Sequence, residues 1–344
     1  MAIKEYWVQL ENMPWDVCPW GVDRVAGAAL SKASDGRYRA TAEETLVLRR
    51  YTANWSRPAD EVINPWDLTE AAPGQPGRFP GALLEAKVAD QIMVHFRNLD
   101  QRSGVADETR LHSLHAHGVQ RAALYDGAYP LSPLDPAQAG RRGDRIAPGA
   151  SFTYRWDCPQ RAAAGAWLIH DGGPTAARST ALGALGVMLV RAPGEQQPDL
   201  PARALRQPGD TATHLTAVPQ PPKRGEYVLL FHELPGAGLC LNGRQGLGNT
   251  PALVAGMGTR MVIHGLNGAP YPISMHIHGH RWQNGGRSVD TELLPVGGGV
   301  SLSLLAGSAQ SGGGPGEWLI TGEAGDAQVA GSLVVTTSGA VLLS

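Results

Sequence analysis

The sequence predicts an all-β protein built from sandwich or barrel domains, and three observations support that prediction. Glycine (44 residues) and proline (26 residues) are frequent among the 344 residues but follow no three-residue period, which indicates many turns and excludes a collagen helix. Short apolar or alternating runs recur between turn-rich clusters. Few stretches carry the 3.6-residue period of a helix.

Each predicted strand is a run that is either apolar throughout or alternates between apolar and polar residues. In the run 151–156, Phe152, Tyr154 and Trp156 are spaced two apart and therefore share one face of the strand. Short helical turns are predicted at 161–164 and 175–183. The predicted strands, in chain order, are 46–51, 87–97, 151–156, 166–169, 187–191, 227–234, 261–266, 274–282, 301–305, 318–321 and 331–336.

The length of the chain favours two domains, because single hydrophobic cores rarely grow beyond about 250–300 residues. A polar, proline-rich stretch separates two sets of predicted strands and is typical of a linker. We therefore predict an N-terminal domain at 1–193, a proline-rich linker at 194–222 and a C-terminal domain at 223–344.

Charge and cysteine usage exclude several classes of function. The 29 basic and 31 acidic residues give a net charge of −2 with no charged block, so binding to nucleic acid or to a membrane surface has no support. No apolar run reaches the roughly 18 residues that a membrane span needs. The N-terminal segment is acidic and aromatic, unlike a secretory signal, so we expect a cytoplasmic protein. Three cysteines without a CxxC spacing predict no disulfide framework.

Two histidine clusters are the most informative feature of the sequence. His115 and His117 belong to one His-x-His-Gly motif, and His276 and His278 belong to a second, with His280 following directly. Residues two apart point to the same face of a strand, so each motif presents adjacent imidazoles. Neutral imidazole is the commonest transition-metal ligand in proteins. One such motif in each predicted domain therefore favours metal binding over isolated structural histidines.

Two other histidines are less clear from the sequence. His170 follows an apolar run and a tryptophan, so it is either a metal ligand or a buried core histidine. His112 lies three residues before His115, on the opposite face of a strand, and its role is open. An all-imidazole set suits copper or zinc. No HExxH helix, cysteine–histidine zinc spacing, nucleophile elbow or P-loop points to another chemistry.

The segments LHSLHAHGV, GAWLIHD and MHIHGHRW resemble the histidine motifs of the multicopper oxidases. PGASFTYRWDCP, LGALGVMLV and NGRQGLGNTP extend the resemblance over nearly the whole chain, in the order of a two-domain, laccase- or ceruloplasmin-like member. The resemblance implies two cupredoxin-like Greek-key β-sandwich domains. In this family a type 1 copper accepts electrons, and a three-copper cluster of type 2 and type 3 ions reduces dioxygen.

The resemblance also implies that the type 1 copper ligands are missing. Their places fall on Ile273, Gly322, Ala327 and Ser332. A blue copper site needs a thiolate together with two imidazoles, and none of the three cysteines lies at a matching position. We therefore expect no ordinary laccase or ferroxidase turnover.

The cluster ligands are only partly lost. By the resemblance, His115 and His276 are the two type 2 ligands, and His117 and His170 are two of the three ligands of one type 3 copper. The third place falls on Glu323. These residues imply a site that draws on both domains.

The other type 3 copper keeps one ligand, His278, while the places of its partners fall on Gly172 and Thr321. His280 matches a position outside the ligand set and is expected to be a hydrogen-bonding neighbour. The remaining histidines imply one or two copper ions at a domain interface.

We expect an atypical copper enzyme that uses dioxygen to oxidise a small organic molecule bound beside the metal. Small residues at the lost ligand places, such as Gly172 and Gly322, predict free volume for this molecule. Asp171 and Glu323 are candidate acid/base groups. Asp171 is equally consistent with a carboxylate that orients an imidazole. The alternative is a non-redox metal-binding protein or pseudoenzyme. Two-domain relatives often assemble as trimers, so a homotrimer is expected.

Overall fold

The computed structural model describes residues 2–24, 28–29, 41–59, 79, 81–131, 143–195 and 224–337. β-strands dominate these residues, as the sequence predicts. Every predicted strand overlaps an observed one. From residue 196 onward, the predicted linker lies outside the described residues.

The bounds of the strands, in chain order, are β1 (Ile3–Asp16), β2 (Val22–Asp23), β3 (Ala28–Ala29), β4 (Thr41–Tyr51), β5 (Leu83–Lys87), β6 (Gln91–Leu99), β7 (His115–Ala116), β8 (Ser151–Asp157), β9 (Gly165–His170), β10 (Leu185–Arg191), β11 (Arg224–Leu234), β12 (Gly238–Leu241), β13 (Ala252–Gly256), β14 (Arg260–Asn267), β15 (Ile273–Ile277), β16 (Trp282–Asn284), β17 (Arg287–Val289), β18 (Thr291–Leu294), β19 (Gly299–Leu305), β20 (Gly316–Ala324) and β21 (Ala327–Thr336).

Helical structure is confined to short segments in the described part of the chain. One α-helix, α1, covers Ala176–Ala181, and a 3-10 turn covers Arg161–Ala163, both within the segments where the sequence predicts helical turns. The other 3-10 turns are Ala53–Trp55, Asp107–Arg110 and Ala123–Tyr125. No helix among the described residues is long and apolar enough to cross a bilayer.

The chain divides into two compact units. The first unit contains the described residues of Met1–Pro14, Glu43–Glu61 and Gly77–Glu195. The second contains those of Trp15–Ala42 and Gln196–Ser344. A segment near the N-terminus therefore belongs to the second unit, although the sequence alone assigns it to the first domain.

The first unit is a sandwich of two four-stranded sheets, with strand orders β4-β1-β6-β8 and β5-β10-β9-β7. β1 pairs with β6 in parallel, and β6 pairs with β8 in antiparallel. The predicted aromatic face of β8 is confirmed, because Tyr154 and Trp156 are fully buried and Phe152 packs against the same core. The second sheet positions the histidines, since β7 and β9 are its last two strands.

The second unit has the same two-sheet plan, with orders β12-β11-β14-β19 and β13-β21-β20-β15-β18. Its core contains Phe231, Ile273 and Met275, none of which is exposed. The N-terminal segment joins this unit through Trp15, whose indole N–H donates to the carbonyl of Gly243 at 2.7 Å. That long-range bond has no local sequence signal, which explains why the sequence does not assign this segment to the second unit.

The two histidine motifs occupy equivalent positions in their units. Gly118 and Gly279, which end the motifs, have φ of +73° and +70°. A Cβ on Gly118 would lie 2.2 Å from the ring of Trp167, and a Cβ on Gly279 would lie 2.4 Å from the ring of Trp318. Glycine is required at both positions because the backbone is left-handed and approaches an indole closely.

Candidate metal centre

Three histidines converge in the first unit. His115 in β7 is the direct cross-strand partner of His170 at the end of β9, and the backbone N–H of His117 donates to Leu168 of β9 at 3.0 Å. One ligand nitrogen from each ring lies within 4.8 Å of the other two. Nε2 of His117 lies 3.1 Å from Nε2 of His170. We call these three residues the histidine triad.

Hydrogen bonds fix which nitrogen of the triad rings is available. Nδ1 of His115 donates to the carbonyl oxygen of Asp126 at 2.8 Å, and Nδ1 of His170 donates to the carbonyl oxygen of Asp171 at 2.6 Å. A carbonyl oxygen only accepts, so Nδ1 carries the proton in both rings. The neutral rings therefore direct an Nε2 lone pair toward their neighbours, as metal-binding histidines do.

The donor set fits a transition metal ion. Metal–imidazole bonds of about 2.0–2.1 Å hold two ligand nitrogens roughly 3–3.5 Å apart on one ion, which matches the 3.1 Å between His117 and His170. Imidazole ligands suit copper and zinc alike. All three triad residues are partly exposed, so a ligand from solvent can reach them.

Electrostatics keep His115 neutral. Burial lowers its pKa, and the nearby Arg121 guanidinium lowers it further, although the hydrogen bond to Asp126 opposes the shift. A neutral imidazole is the form that binds a metal.

Arg121 is a site residue that sequence reasoning missed. Its Nε donates to the carboxylate of Asp126 at 2.5 Å, and its Nη1 donates to the carbonyl of Ala116 at 2.7 Å. Its Nη2 lies 3.3 Å from Nδ1 and 3.2 Å from Nε2 of His115. The Arg-x4-Asp spacing directly after the first histidine motif is the only sequence signal for this arrangement, and a surface ion pair gives the same signal.

A buried charged network, the Asp100–His112–Asp171 network, lies next to the triad in the chain. His112 contacts Asp171 through Nδ1 at 2.6 Å and Asp100 through Nε2 at 2.8 Å, and none of the three residues is exposed. Arg102 forms an ion pair with Asp100 at 2.7 Å. His112 therefore lies outside the triad, which agrees with its predicted position on the opposite face.

The network holds His112 in its charged form. Burial alone would lower the pKa of His112, but its hydrogen bonds with the two carboxylates outweigh burial and raise it. Burial alone would raise the pKa of Asp171, but the hydrogen bond and charge of His112 outweigh it and lower that pKa. The pKa of Asp100 is lowered well below its usual range in the same way.

The carboxylate of Asp171 is fully occupied by donors from the protein. Oδ2 accepts from His112 and from the Ser179 hydroxyl at 2.5 Å, while Oδ1 accepts from the backbone N–H groups of Ser113 and Gly173, both at 2.8 Å. Of the two roles that the sequence leaves open, this favours orientation over acid/base exchange. Asp171 orients His112 with its side chain and His170 with its backbone carbonyl.

The second unit brings two histidines together. The rings of His276 and His278 lie 4.3 Å apart between centroids, and Nδ1 of His276 donates to the carbonyl of Asp290 at 2.8 Å. Burial lowers the pKa of His278, the neighbouring His276 lowers it further, and the charge of Glu323 opposes the shift. We call His276 and His278 the histidine pair.

No third histidine joins this pair among the described residues. The cross-strand partner of His276 is Thr321, which is buried and whose hydroxyl lacks a hydrogen-bond partner in the described structure. Glu323, the other acid/base candidate, is exposed and accepts a hydrogen bond from Gln328 at 3.0 Å. Its charge acts on His278, so it stays a candidate beside the histidine pair.

His280 is buried and lies beside the pair rather than in it. Its Nδ1 donates to the carbonyl of His278 at 2.9 Å, and its ring packs edge-on against Trp318. Burial lowers its pKa. These contacts are consistent with the expected neighbour role, which stays a prediction.

Apolar packing fills two of the places at which the resemblance puts type 1 copper ligands. Ile273 is part of the apolar core, and a Cβ on Gly322 would lie 2.3 Å from the ring of Phe231. Burial raises the pKa of Cys18 to about 12 and that of Cys158 to about 11, and it raises the pKa of Cys240 further still. All three cysteines are free, buried thiols, so none is poised as a thiolate ligand.

The expected free volume at the lost ligand places is absent, and this expectation was wrong. A Cβ on Gly172 would lie 2.7 Å from the carbonyl oxygen of Gly127, and a Cβ on Gly173 would lie 2.6 Å from that of Leu111. At Gly322 the ring of Phe231 takes the space. Backbone and aromatic packing have closed on these small residues, so they leave no space for a bound molecule.

Comparison with curated proteins finds distant relatives. Hephaestin of Mus musculus is 23% identical over 205 residues, which cover 55% of this chain and 16% of that protein. Ferroxidase HEPHL1 of Mus musculus is 26% identical over 164 residues, 46% of this chain and 12% of that protein. Coagulation factor V of Pseudonaja textilis is 26% identical over 164 residues, 44% of this chain and 9% of that protein. The chain thus spans less than a fifth of these relatives, and no family model matches it.

Solved structures share the fold over nearly the whole chain. A multicopper oxidase superposes with a TM-score of 0.57 at 18% identity, covering 97% of this chain and 89% of that one. A copper nitrite reductase from Nitrosomonas europaea gives 0.56 at 14% identity, covering 98% and 96%. A blue copper oxidase from the same organism gives 0.56 at 14%, covering 97% and 86%. The predicted all-β, cupredoxin-like sandwich fold and the resemblance to multicopper oxidases are confirmed.

Proposed function

We propose that this chain, which has the fold of the multicopper oxidases, is a copper-dependent oxidoreductase that works without a type 1 copper. The observation that carries the proposal is the convergence of His115, His117 and His170 within 4.8 Å. In this proposal the triad holds one copper ion. When bound, copper supplies one-electron redox chemistry and an open coordination position.

The protein groups around the triad have separate roles in this proposal. The carbonyls of Asp126 and Asp171 orient the rings of His115 and His170 and leave Nε2 unprotonated as the ligand atom. The buried Asp100–His112–Asp171 network fixes the backbone next to the triad, where Asp171 directly follows His170. Arg121 contributes a fixed positive charge beside His115.

The loss of the type 1 ligands determines how a substrate must react. No thiolate site is available to relay electrons from a surface donor, so the electron donor has to reach the triad itself. The partial exposure of all three rings permits this approach. We therefore propose a small organic molecule as the electron donor and dioxygen as the oxidant.

The histidine pair is a second candidate position for copper. Two imidazoles alone hold an ion weakly, so occupancy there needs further ligands, supplied by the triad, by another subunit or by solvent. We also propose a site shared between the halves of the chain, a homotrimer and a cytoplasmic location.

Metal content and electron paramagnetic resonance (EPR) of copper-supplied protein test the proposal. We expect about one tightly held copper per chain, with a type 2 spectrum and no intense blue absorption. His117→Ala should remove this ion while leaving the circular dichroism unchanged. His95→Ala is the matched control, because His95 bonds to Glu5 and Thr153 away from the triad. Full copper retention in His117→Ala would contradict the assignment.

The alternative is a non-redox metal-binding protein or pseudoenzyme of the same fold. It is favoured by one observation, the replacement of the type 1 ligand places by packed core at Ile273 and Gly322. Oxygen uptake separates the two proposals. An enzyme would consume dioxygen when an organic donor is supplied, whereas a pseudoenzyme would keep its metal without oxygen uptake with any donor.

A further inference from the structure

The guanidinium of Arg121 is immobilised next to the triad. Its Nε is held by the carboxylate of Asp126 at 2.5 Å, and its Nη1 is held by the carbonyls of Ala116 at 2.7 Å and Val119 at 3.2 Å. The side chain is 14% exposed. Three partners on two nitrogens therefore fix the plane of the group, and Nη2 is the only nitrogen left without an oxygen partner among the described residues.

The position of Nη2 leaves it available to a ligand. It is nearly equidistant from Nδ1 and Nε2 of His115, at 3.3 and 3.2 Å. A nitrogen at equal distance from both ring nitrogens cannot lie along the in-plane lone pair of either. Nδ1 already donates to the carbonyl of Asp126. His115 can therefore accept at most one of the two N–H groups of Nη2, through Nε2, and the other N–H is left for a ligand.

We propose that Arg121 makes the triad a receptor for a small molecule that carries a carboxylate, with Nη2 donating to the carboxylate oxygen. The inference rests on the proposed function and adds a substrate class to it. Arginine N–H groups form short, charge-assisted hydrogen bonds with carboxylates, and a fixed guanidinium loses little entropy in doing so. The positive charge of Arg121 beside the triad also repels positively charged electron donors.

The counter-charge of Asp126 sets the strength of this preference. Its carboxylate neutralises part of the Arg121 charge through Nε and lies 3.6 Å from Nδ1 of His115. Removing that charge while keeping the backbone carbonyl leaves a stronger cation beside the triad. Removing the Arg121 cation instead leaves the negative charge of Asp126 beside the triad. The two changes are therefore expected to move carboxylate affinity in opposite directions.

Acetate titration of the copper-loaded protein is the direct test, with acetamide as the neutral probe of the same shape. Changes in the copper EPR spectrum report binding. Arg121→Gln should weaken acetate binding at least tenfold, roughly the loss of one charge-assisted hydrogen bond. Arg121→Lys should weaken it less, and Asp126→Asn should strengthen it. Acetamide affinity should be the same in all four proteins.

Several outcomes would overturn the inference. Equal acetate affinity in wild type and Arg121→Gln would do so, as would weaker binding in Asp126→Asn. If Arg121→Gln does not fold, judged by circular dichroism, acetate binding to Asp126→Asn and Arg121→Lys still tests the inference.

Acetate titration of the metal-free protein, followed by NMR at the Arg121 side chain, separates this inference from the proposed function. A response there without copper binding supports the anion site and contradicts the copper assignment.

Discussion

The two histidine groups have equivalent backbone positions but different chemistry. In both units a His-x-His-Gly motif faces a strand that carries a tryptophan, Trp167 or Trp318. The cross-strand partner of the first histidine is His170 in the first unit and Thr321 in the second. Asp171 follows in the first unit and Gly322 in the second. His170 therefore completes a group of three histidines in the first unit, whereas the corresponding strand of the second unit contributes to a hydrophobic core.

The residue after that cross-strand position explains the difference. Asp171 ties the strand end to His112 inside a charged network, so the backbone carbonyl that orients His170 is held rigidly. Gly322 instead lets the ring of Phe231 pack against the strand. The same fold thus brings three histidines together where a buried carboxylate holds the strand, and forms a packed core where an aromatic ring contacts it.

The largest expected effect is on the network that distinguishes the first unit. His112→Gln removes the charged partner of two buried carboxylates, so we expect a loss of about 3–5 kcal/mol in the free energy of unfolding. Urea titration measures it. His95→Gln, which breaks a partly exposed pair with Glu5, should cost no more than about 1 kcal/mol. Equal losses in the two variants would mean that the network contributes no special rigidity.

The next largest effect concerns metal affinity. It is tested by exchanging the two cross-strand residues, His170 and Thr321. His170→Thr copies the second unit and should weaken copper binding at least about a hundredfold, because a lost ligand costs more than the 10–100-fold of a lost ligand-orienting partner. Thr321→His copies the first unit and should add a copper-binding group at the histidine pair. Competition with a chelator measures both. Unchanged affinity in both variants would show that register does not decide where the ion binds.

The glycines that end the motifs test where the two units are alike. Gly118→Ala and Gly279→Ala each force a side chain into left-handed backbone and against an indole ring. Each should cost about 2 kcal/mol or more in unfolding free energy. Thermal unfolding measures the losses. A large loss in one unit and none in the other would break the structural equivalence of the motifs.

The smallest expected effect is a pH dependence specific to the first unit. The pKa of His112 is raised on folding by Asp100 and Asp171, in spite of burial. Its stabilising contribution is complete below the unfolded pKa of about 6.5 and is lost as pH rises through the folded pKa. Unfolding free energy should therefore fall as pH rises above about 6.5, and His112→Gln should lack that fall. A wild-type stability independent of pH in this range would contradict the charged state of His112.

Much of the fold follows from the sequence because its signals are local. Alternating and apolar runs identify the central strands, and the histidine motifs identify both groups of histidines. β1 is missed because its residues 3–16 mix apolar, charged and polar side chains, and its parallel pairing with β6 depends on residues about 90 positions away. Long-range pairing of this kind leaves no periodic pattern in the sequence of β1.

The candidate site is harder to predict because its decisive contacts are side chain to backbone. The carbonyls of Asp126 and Asp171 orient two rings, and a carbonyl has no sequence signature. In the sequence, Arg121 cannot be distinguished from a surface arginine. Only the structure shows its guanidinium beside His115. The expectation of free volume at the glycines was wrong for the same reason. Backbone packs closely against a glycine, and the residues next to it in the sequence do not indicate this packing.

The central claim is that the first unit's three histidines hold one copper ion without a thiolate. Copper content per chain, measured with the EPR spectrum after dialysis against a weak chelator, tests it most directly. We expect one retained ion with nitrogen hyperfine structure and a type 2 signal in wild type, and none in His170→Thr. Retention of the ion in His170→Thr, or an intense blue copper–thiolate band in wild type, would contradict it.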